Sequence, residues 1–242
     1  MDLPTAQLRT SRNKKFVYVD GSVIKKGPYK ASDRALELAE RNLSVLQLLQ
    51  RLCDIPPHLR TDLPFVREVS PETGDIYLVY ENVGLPPKKG DANVTTTKID
   101  QEVLVLGRRT FVDRVSDREK TDELAREQAE AALQHLYFRY LMNVGDSGTH
   151  NILVRHQSSV EGQLVVGIDM EENRSGTPTG GVLGLLFKRP SKLQVEKYTP
   201  LVKTIKQLPV FNDEARETIA DLGVEPNALW ERALEFRRCS TK

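Results

Sequence analysis

Apolar and polar residues alternate from Lys15 to Tyr29, KFVYVDGSVIKKGPY, on both sides of an Asp20-Gly21 pair. Alternation is the period of a strand with one buried face, and Asp-Gly between two such runs signals a hairpin. The period then changes. Leu36, Ala39, Leu43, Leu46 and Leu49 recur at helical spacing, which predicts a helix from Asp33 to about Leu52, capped by Ser32 and stopped by Pro56-Pro57. Pro64 to Val69 and Asp75 to Tyr80 return to strand chemistry around a Pro-Glu-Thr-Gly turn. The expected order of this first part is β-β-α-β-β.

Glu81 to Gly90, ENVGLPPKKG, is rich in Pro and Gly and marks a linker. Beyond it, Lys98 to Leu106 alternates weakly, which suggests a strand paired with Arg109 to Val115. Asp117 to Met142 has a helical pattern, charged in its first half and amphipathic in its second, with Leu133, Leu136, Tyr137, Tyr140 and Leu141 on or near one face. Ile152 to Arg155 and Leu164 to Ile168 are short apolar strands joined by a polar loop. Helical patterns return at Val195 to Leu208, Asp213 to Leu222 and Pro226 to Arg237. Three parts are expected: a flexible arm over 1–13, a sheet-plus-helix unit over 14–84, and a mainly helical unit over 85–242.

Composition narrows the function classes. Formal net charge is +1, from 35 basic and 34 acidic residues, so no global field draws in nucleic acid or anionic lipid and any electrostatic recognition is local. No apolar run reaches the roughly 18 residues of a spanning helix. Cys53 and Cys239 match no metal-ligand spacing and are too few for a disulfide framework, which suggests a reducing, cytoplasmic setting. The first residues are basic but lack the apolar stretch of a secretory signal, and are expected to form an arm.

The candidate chemistry lies where the long helix meets the second hairpin. There YLMNVGDSGTHNILV, Tyr140 to Val154, runs from apolar to polar and back. Asp146 and Asn151 share this loop, and Asp169 stands at the exit of the following hairpin. Asn151 and Asp169 offer oxygen ligands suited to a hard cation such as Mg2+. Asp146 is placed to orient an attacking hydroxyl and take its proton.

The run G-D-x-x-x-x-N-I-L-V, a hairpin and then I-D resembles the catalytic centre of the protein-kinase-like superfamily. The Gly-Asp start is closest to the phosphatidylinositol-3/4-kinase-like branch, while Ile168-Asp169-Met170-Glu171 also resembles the I-D-x-E of choline and aminoglycoside kinases. The resemblance implies an α+β, two-lobed kinase-like fold, with a small antiparallel-sheet-plus-helix N-lobe and a mainly helical C-lobe. It implies that ATP and Mg2+ are bound, with Asp146 as catalytic base and Asn151 and Asp169 as metal ligands. Lys25 or Lys26 would meet the nucleotide phosphates, and alternation alone does not say which faces inward. Glu37 or Glu40 would be the lysine's partner, and the stretch around Glu81 and Val83 the hinge that holds the adenine.

The phosphoryl acceptor would be a protein or an inositol lipid, or a small alcohol. A basic segment after the metal-binding Asp reads the headgroup in lipid kinases, and FKRPSK, Phe187 to Lys192, stands in that position. The sequence also departs from the pattern. No glycine precedes the hairpin at Phe16, where a phosphate-covering loop belongs. That departure keeps a second expectation open, a catalytically inactive pseudokinase that serves as a structural or protein-binding scaffold.

Overall fold

Each of the first alternating runs becomes a strand, and the strands lie edge to edge. In the computed structural model, which describes residues 6–10, 16–20, 23–81, 104–105, 123–145, 151–154, 163–171, 203–209 and 212–238, β1 spans Ala6–Thr10, β2 Phe16–Asp20 and β3 Val23–Tyr29. With β4, Phe65–Val69, and β5, Ile76–Glu81, they form an antiparallel sheet of order β1-β2-β3-β5-β4. Strand β1 corrects the expected irregular arm: Ala6 pairs with Val19 and Thr10 with Phe16, across a register shift between Gln7 and Arg9. The physical reason is the open edge of β2, whose unpaired backbone groups take a further strand that weak local patterning does not announce.

Helix α1, Arg34–Leu52, follows β3. It begins one residue later than a Ser32 cap implies. Asp33 is the N-cap and its carboxylate accepts the Lys30 backbone N–H at 2.9 Å, closing the turn that leads into the helix. At the other end Asp54 turns left-handed with φ 51°, and the chain passes into the Pro57–Leu59 turn. The first half of α1 lays Leu36 and Ala39 on the sheet, against Tyr29, Ile76 and Leu78. Its second half lays Leu43, Val45, Leu46 and Leu49 into a larger core shared with the later helices. One helix therefore seals both halves of the described chain.

That larger core is organised by α2, Glu123–Leu141. From Ala131 onward every residue to Met142 is buried. The amphipathic face expected from the sequence is thus only part of a half-helix, from Ala131 on, that is covered on all sides by α1, by the second sheet and by the C-terminal helices. The second sheet has order β6-β7-β8: β6, Leu104–Val105, pairs with β7, Ile152–Val154, which pairs with β8, Val165–Gly167. The weak strand near 98–106 thus pairs with β7; Arg109 to Val115 lies outside the described residues, as do the linker at 82–90 and the basic segment Phe187 to Lys192.

Helices α3, Asp213–Asp221, and α4, Pro226–Arg238, complete the fold. Asn212 caps α3 by accepting the Ala215 N–H at 2.8 Å, and the ring of Phe236 on α4 lies 4.8 Å from that of Tyr137. The architecture is α+β, a small antiparallel sheet with several helices. No helix among the described residues is long and apolar enough to cross a membrane.

Candidate functional site

Pairing fixes which β3 lysine faces the core. Lys25 stands opposite Val79 and Lys26 opposite Leu78, and Leu78 is fully buried against α1. Directly paired residues share a sheet face, so Lys26 points inward and Lys25 outward. Lys25 accordingly pairs with Glu68 and sits 4.7 Å above the Tyr77 ring on the outer face. Between Lys26 and Tyr29 the register slips: three residue steps on β3 oppose two on β5. A regular strand would send residues three apart to opposite faces, and the bulge brings Lys26 and Tyr29 to the same side. Gly27 inside it has no room for a side chain, since a Cβ would come 2.6 Å from the Tyr77 ring.

Both side chains meet the segment after β8. Lys26 Nζ lies 2.7 Å from Asp169 Oδ1 and 2.6 Å from Glu171 Oε1, and Tyr29 Oη donates to the same Glu171 oxygen at 2.7 Å. Burial works against the Lys26 charge, but the Glu171 and Asp169 carboxylates outweigh it and raise the lysine's pKa above its ordinary value. Burial, then the Glu171 charge, pushes the Tyr29 phenol far up, so it remains a donor at any ordinary pH. The two carboxylates differ in access. The Asp169 side chain is 45% exposed and that of Glu171 9%.

The backbone of this segment is held as firmly as its side chains. Asn42 on α1 donates to the Met170 carbonyl at 2.7 Å. Arg139 on α2 donates to the Ile168 and Asp169 carbonyls, at 2.8 and 2.9 Å, and approaches Met170 Sδ at 3.3 Å. Asp169 itself has φ 61°, a left-handed conformation that Asp tolerates better than most residues and that these bonds hold in place. The Ile168 N–H donates to the Asn151 carbonyl at 2.9 Å, which brings Asn151, itself buried, beside the Asp169 segment.

Beneath Arg139 runs a buried polar chain. Arginine is a donor only, so its 3.3 Å contact to His135 Nε2 makes that nitrogen the acceptor and puts the ring proton on Nδ1. Nδ1 then donates to Thr61 Oγ1 at 2.8 Å, Thr61 to Gln50 Oε1 at 3.2 Å, and Gln50 Nε2 to Asp62 Oδ1 at 2.8 Å. Thr61 also takes the Gly167 N–H on its carbonyl at 2.9 Å. The chain links α1, the loop before β4, α2 and β8.

Burial, and secondarily the Arg139 charge, holds the His135 pKa well below the ordinary histidine value. The unfolded chain takes up a proton near its unperturbed pKa of about 6.5 and the native chain does not, so His135 removes stability as pH falls below that value, by up to ~1.4 kcal/mol per pH unit. Urea unfolding of the wild-type chain and His135→Gln at about pH 7.5 and about pH 5.5 should show the wild type losing more stability on acidification. Equal losses would disprove the assignment of a neutral His135.

Of the residues expected from the sequence, Lys26 and Asp169 are brought into contact, and Asn151 adjoins the Asp169 segment through its backbone carbonyl. Glu37 lies on the exposed side of α1 beside Arg34, and Glu40 lies 3.4 Å from Arg67 of β4, so the carboxylates at Lys26 come from Asp169 and Glu171 instead. Glu81 is exposed at the end of β5, while Asp146 and Val83 lie outside the described residues. Asp169 and Glu171 present two carboxylates, oxygen donors of the kind that suit Mg2+, and the Asn151 backbone adjoins the Asp169 segment. Among the described residues no three His, Cys, Asp or Glu side chains converge as a metal-binding group.

Glu171, Tyr29 and Arg139 are the site residues that the sequence patterns left unassigned. Glu171 had a signal in I-D-x-E. Arg139 had a weaker one: a cation set between Tyr137-Phe138 and Tyr140-Leu141 needs polar partners if that stretch is buried. Set against known proteins, the sequence matches no family model and no curated protein.

Proposed function

We propose that this chain is a kinase-like phosphotransferase that moves a phosphoryl group from ATP to a hydroxyl acceptor. The observation that carries the reading is the 2.7 Å contact between Lys26 Nζ and Asp169 Oδ1, which joins the inward lysine of β3 to the I-D aspartate 143 residues later. The resemblance expects Lys25 or Lys26 at the phosphates and Asp169 at the metal, and the β3–β5 register turns Lys26 inward. The meeting of Lys26 and Asp169 supports a cleft between a sheet-plus-helix lobe and a helical lobe.

In this reading Lys26 would hold nucleotide phosphate oxygens, and Asn151 and Asp169 would hold Mg2+, which when bound would neutralise charge on the phosphates. Asp146 would orient the acceptor hydroxyl and accept its proton as the new O–P bond forms and the bond from the γ-phosphorus to the bridging oxygen breaks, with ADP as the leaving group. Tyr80 follows Val79 on β5 and packs beside Ile168 and Leu63, where the sheet meets the Asp169 segment. Glu81 and Val83 then lead into the adenine-binding hinge. The acceptor belongs to the class of proteins, inositol lipids or small alcohols.

A second reading is favoured by two observations. Lys26 is occupied by two carboxylates, and no glycine precedes β2 to cover phosphates, as suits a pseudokinase scaffold. Thermal unfolding with and without Mg2+-ATP separates the two. A ligand that binds only the native state raises Tm, by about 2.7 kcal/mol of added stability at a hundredfold excess over Kd. The enzyme reading expects a Tm rise that Asp169→Ala diminishes, and an Asp146→Asn chain that binds nucleotide without turnover. No shift at millimolar nucleotide leaves the scaffold reading.

A further inference from the structure

We propose that Glu171 is the positioning carboxylate of Lys26, in place of an acid from α1, and that Tyr29 fixes it there. The proposal rests on the phosphotransferase reading and adds a residue to it. A lysine that holds phosphate must be kept extended over its site in the absence of ligand, because four rotatable bonds otherwise let the ammonium wander. The acids on α1 are engaged elsewhere, Glu37 by Arg34 and Glu40 by Arg67. Glu171 stands 2.6 Å from Lys26 Nζ and is itself held by the Tyr29 hydroxyl at 2.7 Å.

Three features make this arrangement a fixed one. The β3 bulge turns Lys26 and Tyr29 to the same side, so a single carboxylate oxygen receives both donors. The backbone leading to Glu171 is anchored by Asn42 at Met170 and by Arg139 at Ile168 and Asp169, on two different helices. Glu171 is nearly enclosed, whereas the Asp169 side chain is open to solvent over almost half its surface. The two acids therefore divide the work. Glu171 keeps the lysine in place, and Asp169 is free to exchange it for a cation. Helix α1 contributes Asn42, which holds the segment, where a partner glutamate was expected.

Calorimetric titration of the full chain with Mg2+-ADP and, separately, with adenosine tests the assignment. A misplaced lysine weakens only the ligand with phosphates. Glu171→Gln should lower ADP affinity by about tenfold, the lower end of what loss of an orienting partner costs, with adenosine affinity unchanged. Tyr29→Phe, which removes one hydroxyl and keeps the ring, should lower ADP affinity less and in the same direction. Glu171→Asp should restore part of the loss. Equal weakening of ADP and adenosine, or an unchanged ADP affinity in both Glu171→Gln and Tyr29→Phe, overturns the positioning role. A wild-type chain that binds neither ligand overturns the phosphotransferase reading and this assignment with it.

Discussion

Arg139→Met should unfold at lower urea with an unchanged denaturant slope, having lost about 3 kcal/mol of stability. Methionine reproduces the arginine stem, so packing against the surrounding core is largely kept. What goes is the donor fork. The Ile168 and Asp169 carbonyls, at 2.8 and 2.9 Å and part-buried, lose a charged partner, and a hydrogen bond to a charged group contributes about 1.5 to 3 kcal/mol. Part of that is returned because the guanidinium no longer has to be desolvated. Arg139→Lys separates charge from geometry: an ammonium keeps the cation but cannot span both carbonyls as a planar fork does. It should recover well under half of the loss, and full recovery would show that charge alone matters. Asp169 would also be released from its left-handed conformation in Arg139→Met, so the Mg2+-ATP shift in Tm should shrink with stability, even though Arg139 touches neither proposed ligand.

The parts of the molecule that the sequence announces are those set by local periodicity. The Asp20-Gly21 hairpin, α1, β4, β5 and α4 lie within a residue or two of where alternation and helical spacing put them. Helices α1 and α4 and strand β5 bury one face, and a one-sided element writes its period into the chain, whereas β4, exposed from Val66 to Val69, is announced by the turn beside it. Features set by tertiary pairing were silent. β1 joins an edge that only the folded sheet creates, and the choice between Lys25 and Lys26 depends on a register that no count of residues supplies. That Asn151 and the Asp169 segment would lie side by side was legible, because the two apolar runs and polar loop between them read as a hairpin. The role of Glu171 was not, because it depends on a bulge in β3, far away in the chain, and Arg139 and His135 read as ordinary helix polars until the second half of α2 is seen to be covered all round.

Gly167→Ala should be more damaging than its size suggests, with a loss of about 3 kcal/mol or more, and its cause is a single neighbour. Gly167 lies in β8 without left-handed backbone, and alanine is as acceptable to a strand as glycine on propensity. Sterics decide the sign. An added Cβ would lie 1.9 Å from His135 Cε1 and 2.1 Å from Nε2, far inside van der Waals contact. The ring cannot swing aside cheaply, because Thr61 holds Nδ1 and Arg139 holds Nε2 in a site with no exposure. β8 cannot retreat either, since the Gly167 N–H is bonded to Thr61 and Ile152 is its partner on β7. A double-mutant cycle isolates this clash. His135→Ala alone opens a cavity and breaks the polar chain, and should itself cost a few kcal/mol. With the ring gone, the new methyl group on β8 has space, so adding Gly167→Ala to His135→Ala should cost less than about 1 kcal/mol, and the two losses should fall well short of additive. Additive losses would place the damage of Gly167→Ala elsewhere, in the β7–β8 pairing. Near-complete compensation would establish that the His135 ring and the glycine opposite it form one close-packed unit, on which the Asp169 segment rests.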